Sequence, residues 1–186
     1  NGEVNQAIQA LEDAVQASQK SGNGFVMVIA RGELGDILID NGQLTRAMEI
    51  FEQTIRLLSS IPGKFFSVEK ITCKQIAEIF LARNQLAEAE QYLKKSIEGI
   101  PEWNVSFNDF DTHLRLAHLY QCQGDFQHAD QELEIARQLS FSSHSRLDDL
   151  ILGVSEARWA LLRGQTLPAQ KFLQKIGVVE NAPFQD

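Results

Sequence analysis

The chain has 186 residues, 44% hydrophobic and 23% charged, enough for one soluble globular domain with its own core. A net charge of −8 argues against a grip on nucleic acid, which needs clustered Lys and Arg, and no apolar run is long enough to span a bilayer. Two cysteines, Cys73 and Cys122, cannot build a disulfide framework, and with no export signal opening the chain a cytoplasmic setting is expected.

Four prolines and the lack of strongly alternating runs predict an all-α chain. Taken in order, helices are expected near 5–20, 25–40, 44–60, 66–83, 86–99, 109–122, 126–139, 146–163 and 166–176. Ser21-Gly22-Asn23-Gly24, Ile61-Pro62-Gly63-Lys64 and Ile100-Pro101 carry the breakers that end helices. Phe25 to Ile29 could pass for a buried strand, but its register with later helices overrules that reading. Ser145 followed by Asp148 resembles a capping box. Asn104-Val105-Ser106 matches a glycosylation sequon, which carries no meaning without secretion.

The helices repeat. Turns at Gly2, Gly42, Asn84, Gly124 and Gly164 are spaced by 40, 42, 40 and 40 residues. Each turn residue is of a type that tolerates a left-handed backbone. Five residues after each turn stands Ala7, Ala47, Ala89, Ala129 or Ala169, and nine after stands Leu11, Phe51, Leu93, Leu133 or Leu173. Twelve after come Ala14, Thr54, Ser96, Ala136 and Ile176, mostly small. Seven before the turn lies Gly35, Ala77, Ala117 or Ala157, and eight before lies Leu34, Ile76 or Leu116, with Glu156 breaking the series. Small residues on both helices of a hairpin let the backbones approach to roughly 8–10 Å, and the large residues fill the flanks. Such a hairpin has too little core to stand alone and must stack on its neighbours. The expected organisation is one domain over 1–186, with repeats near 1–21, 25–60, 66–99, 109–139 and 146–176. The chain opens without Met and with the pattern under way, which predicts a fragment of a longer protein.

Leu34-Gly35-x-x-Leu38, Ile76-Ala77-x-x-Phe80 and Leu116-Ala117-x-x-Tyr120 resemble helix A of the tetratricopeptide repeat. The Gly/Asn turn, then Ala, a large apolar residue and a small one, resembles its helix B. A spacing about six residues above the ordinary ~34 is similar to the repeats of MalT-type regulators in the LuxR family. Leu161 to Phe184 looks like a late unit of that region. The resemblance implies a right-handed superhelix of stacked antiparallel hairpins. It also implies a sensor and oligomerisation region that binds a small-molecule inducer or a protein partner in its concave groove. The resemblance places ATP and DNA binding in separate modules, so no cofactor and no catalysis are expected within this chain. The alternative is an adaptor scaffold that holds a partner peptide.

In such arrays the helices A line the groove. Six residues before the turns lie Asp36, Glu78, His118 and Arg158, and nine before Gly124 lies Arg115. These five are the expected groove residues, for a ligand or peptide of mixed charge; the bland reading is a solvated face. A zinc site at His113, His118, Cys122 and His128 is rejected. Only His118 and Cys122 share a helix face, and zinc generally wants at least three protein ligands. Cys122 beside His118 lacks an orienting carboxylate, so nucleophilic catalysis is not expected either. Cys73 reads as a small core residue, and Trp103 and Trp159 as packing residues or wedges between repeats.

Overall fold

The computed structural model describes residues 2–59, 66–98 and 106–177, and among these every regular element is helical. The chain divides into two compact units, Asn1–Trp103 and Asn104–Asp186. The first carries α1 (Gly2–Ser21), α2 (Gly24–Asp40), α3 (Leu44–Ser59), α4 (Phe66–Ala82) and α5 (Leu86–Ile97). The second carries α6 (Ser106–Gln123), α7 (Phe126–Ser143), α8 (Arg146–Leu162) and α9 (Thr166–Lys175). Antiparallel hairpins α2/α3 and α4/α5 stack in the first unit behind α1, and α6/α7 and α8/α9 stack in the second. Ile61-Pro62-Gly63-Lys64, Ile100-Pro101, Trp103, the sequon Asn104 and Phe184 lie outside the described residues.

The hairpin turns follow from backbone chemistry. Gly42, Asn84, Gly124 and Gly164 have φ of 74°, 57°, 76° and 75°. Asn84 stands in for glycine because its short amide tolerates the left-handed region. The residue after each turn bonds back five positions: Gln43 N–H to Leu38 O and Gln85 N–H to Phe80 O, both 2.8 Å, Asp125 N–H to Tyr120 O, 2.9 Å, and Gln165 N–H to Ala160 O, 2.8 Å. This closure satisfies carbonyls that the helix end leaves open. Gly2 departs from the series and is simply the first residue of α1.

Packing explains the small and large positions. Ala47, Ala89 and Ala129 are fully buried, as are Phe51 and Leu93. Thr54 and Ser96, also buried, turn their hydroxyls onto Ile50 O (2.8 Å) and Leu93 O (2.7 Å) of their own helices, so neither hydroxyl is stranded. A Cβ at Gly35 would stand 2.1 Å from Phe51 Cζ, so the glycine is what admits a phenylalanine where other repeats have leucine. Gly153 relates to Phe172 in the same way, again at 2.1 Å. That second pair occupies the slot eleven before and eight after a turn, which holds His113 and Glu132 one repeat earlier. There His113 Nδ1 meets Glu132 Oε2 at 2.5 Å. In both repeats the two positions of this slot meet across one hairpin.

The end of α7 lies beyond the expected one. α7 continues to Ser143, and His144 closes it with φ 53°. Ser145 Oγ then accepts from Asp148 N–H (3.2 Å), giving the amino-terminal half of the expected capping box. The Asp148 carboxylate does not return to the cap; it accepts from Ser143 Oγ at 2.7 Å. Phe25 to Ile29 lies inside α2, as its register requires.

Candidate partner-binding faces

The helices A of each unit lie side by side, α2 with α4 and α6 with α8. Each pair is joined by a hydrogen bond to a residue six before a turn. In the first unit Gln75 Nε2 donates to Asp36 Oδ1 at 2.7 Å. In the second, Arg158 Nη2 donates to His118 Nε2 at 2.7 Å. The partners are 39 and 40 residues apart, one repeat in each case.

The chemistry of the two faces is opposite. On α2 and α4, Asp36, Asp40 and Glu78 line a hollow of about 270 Å³ with Ile39, Ile71, Lys74 and Gln75. Burial raises the Asp36 pKa above the ordinary carboxylate value; the Gln75 hydrogen bond works against this, and nearby Glu33 adds to it. On α6 and α8 the expected residues are cationic or neutral. Burial lowers the His118 pKa, and the charges of Arg158 and Arg115 lower it further. The imidazole is therefore neutral at pH 7, as an acceptor of the Arg158 N–H must be. Arg115 itself bonds through Nε to Asp111 one turn away, at 3.0 Å.

The five expected residues thus fall into two groups: Asp36 with Glu78, and Arg115 with His118 and Arg158. Missing from the expectation are Asp40, Lys74 and Gln75 of the hollow and the apolar residues beside the charges. Phe25, Ile29 and Ile71 are 57%, 48% and 38% exposed, and Leu147, Ile151 and Val154 are 59%, 38% and 57% exposed. In α2, Phe25, Ile29 and Asp36 fall on one stripe, and in α8 Leu147, Ile151, Val154 and Arg158 do the same. Their spacing of three, four or seven residues was the available signal.

The histidines of α6 and α7 disperse: His113 to Glu132, His118 to Arg158, and His128 to Asp125 at 2.6 Å. Among the described residues no three His, Cys, Asp or Glu side chains are placed to share a metal ion. Cys73 is buried, and its thiol is pushed up to about 11 by that burial and by Glu69, which makes it an inert core group. Trp159 is buried between α7 and α8, its indole N–H donating to Asp130 Oδ1 at 2.7 Å. Arg163 lies over its ring at 4.3 Å and donates to Asp130 Oδ2 at 2.7 Å. Glu156, the residue that broke the apolar series, is held by Arg137 Nε at 2.9 Å.

The sequence matches the family described as the MalT-like TPR region over residues 1–185. The chain belongs to that family. It is 23% identical over 159 residues to the Arabidopsis thaliana protein KINESIN LIGHT CHAIN-RELATED 1; that stretch is 83% of this chain and 26% of the relative, so the match spans about a quarter of the relative's length. Among solved structures, a kinesin light chain-type protein of Podosopora anserina with nearly identical TPR-like repeats superposes with a TM-score of 0.69 at 21% identity, covering 96% of this chain and 87% of that one. MamA superposes with a TM-score of 0.60 at 16% identity, covering 94% and 86%. At these identities the likeness is one of fold. The chain is a tetratricopeptide-like repeat region, and no helix among the described residues is long and apolar enough to cross a membrane.

Proposed function

We propose that the chain is a binding scaffold that holds a partner peptide against its helix-A faces. The observation that carries this reading is the exposure of apolar side chains, Phe25, Ile29 and Ile71 in one unit and Leu147, Ile151 and Val154 in the other, next to the charged groove residues. Large apolar side chains exposed beside charge suit a partner with apolar anchors. Asp36, Glu78, Arg115, His118 and Arg158 then set orientation and partner choice rather than the bulk of the affinity. The test is calorimetry with a peptide selected on this chain from a random display library. Glu78→Ala or His118→Ala should weaken binding by about tenfold, as interface truncations of moderate size do. The same substitution on the helix-B side, Glu49→Ala, should leave it unchanged. Equal affinity in all three variants would end this proposal.

A second reading is favoured by the family match. In it the chain is the sensor and oligomerisation region of a LuxR-family regulator, responding to a small-molecule inducer or protein partner, with ATP held by a separate module. Reading the sequence on either side of this region tests it. A phosphate-loop motif upstream and a helix-turn-helix downstream are expected on this reading. A region lacking both in the intact protein leaves the scaffold alone.

A further inference from the structure

We propose that the hollow between α2 and α4 takes a Lys or Arg side chain of an amphipathic partner peptide whose apolar residues cover Phe25, Ile29 and Ile71. The inference rests on the scaffold reading and specifies the partner's chemistry. Three carboxylates, Asp36, Asp40 and Glu78, line the hollow against one ammonium, Lys74. These acids are not placed to share a metal ion, since among the described residues no such group occurs. That turns the acidic lining toward an organic cation.

A second observation, independent of the carboxylates, lies in the same wall. Gln75 is only 6% exposed, and its side-chain oxygen finds no hydrogen-bond donor among the described residues. Its amide N–H₂ is spent on Asp36 Oδ1. A buried acceptor left without a donor is unfavourable, and native structures seldom leave one without a reason. An ammonium or guanidinium entering the hollow brings the N–H donors that Gln75 Oε1 lacks. Gln75 also fixes Asp36, which keeps that carboxylate oriented before a partner arrives.

The apolar neighbours decide that the cation is part of a larger amphipathic segment. Phe25, Ile29 and Ile71 stand toward the amino-terminal ends of α2 and α4, and the acids stand toward the carboxy-terminal ends. A helical or extended peptide with an aliphatic end and a basic end matches both. A free small cation would leave the apolar half uncovered. Charge complementarity therefore selects a basic amphipathic peptide over an acidic one at this face.

The probe is a random-peptide display library selected against the chain, with the enriched peptides resynthesised and titrated by fluorescence anisotropy. The enriched set should carry Lys or Arg beside aliphatic residues. Asp40→Asn with Glu78→Gln should weaken these peptides about tenfold or more. Glu49→Gln with Glu88→Gln, which removes as much charge from exposed sites on α3 and α5, should change affinity less than twofold. Thermal melts of both double variants verify that they fold. Enriched peptides without basic residues, or equal losses in the two double variants, would overturn the inference while leaving the scaffold intact. Enrichment of no peptide at all would overturn the scaffold reading and the inference with it.

Discussion

The two units use one design and reach opposite electrostatics. In each, two helices A lie side by side and a polar link from the later helix reaches the residue six before a turn in the earlier one. In the first unit that residue is Asp36, an acid raised by burial. In the second it is His118, a base lowered by burial and by two arginines. The backbone repeat sets where a helix-A side chain stands, and the residue placed there sets the charge of the face. A change of charge at this register leaves the packing untouched, because the small and large residues that hold the hairpin lie on another side of the helix.

The largest effect that would sharpen the comparison lies in that packing. Gly35→Ala should destabilise the first unit by about 1–3 kcal/mol, the usual cost of overpacking, because the new methyl would overlap the Phe51 ring. Adding Phe51→Leu should recover most of the loss, since the pair then copies Ala77 and Leu93. Urea denaturation of the single and double variants measures both. Failure of the second substitution to rescue would mean that the repeats do not pack interchangeably.

A smaller loss is expected in the second unit. Asp130→Ala leaves the buried Trp159 N–H without its acceptor and frees Arg163, at about 1–2 kcal/mol for a stranded polar group. Burial works against ionisation of Asp130, yet the hydrogen bonds from Trp159 and Arg163 hold its pKa below the ordinary value. Its contribution is therefore present above the unfolded carboxylate pKa and is lost as pH falls through the folded one. The Asp130→Ala variant should melt with a flatter acid limb.

The smallest effects are those of the two faces themselves, and their signs differ. His118 has a lowered folded pKa, so its contribution is held at neutral pH and is lost as pH falls below the unfolded histidine value near 6.5. Asp36 has a raised folded pKa, so its contribution is present at acid pH and declines as pH rises through that value. His118→Gln should remove part of the acid sensitivity, and Asp36→Asn should raise the melting temperature slightly at pH 7. Melting curves from pH 4 to pH 8 that moved in the same direction for both variants would erase the contrast between the faces.

Much of the fold was legible in the sequence. A hairpin turn that must go left-handed admits few residues, so Gly42, Asn84, Gly124 and Gly164 announced themselves, and the helices followed. The end of α7 was harder to read because His144 takes a glycine-like conformation without being glycine. Its last turn is rich in serine, a weak helix former, and is held instead by Ser140 Oγ on Asp149 (2.8 Å) and Ser143 Oγ on Asp148. On the helix-A faces, the common register of Asp36 and His118 was readable in the sequence. Their partners were not, because Gln75 reaches Asp36 across a full repeat, and that pairing depends on how hairpins stack. No surface role for Phe25 and Ile29 was legible in the sequence, and their exposure is set by packing.

The most direct measurement is a backbone NMR titration of the chain with a library-selected peptide. The account predicts shift changes concentrated at the helix-A residues Ile29, Asp36, Ile71 and Glu78, with Glu49, Glu88 and the rest of the helix-B faces unmoved. Perturbations confined to α3 and α5 would contradict it.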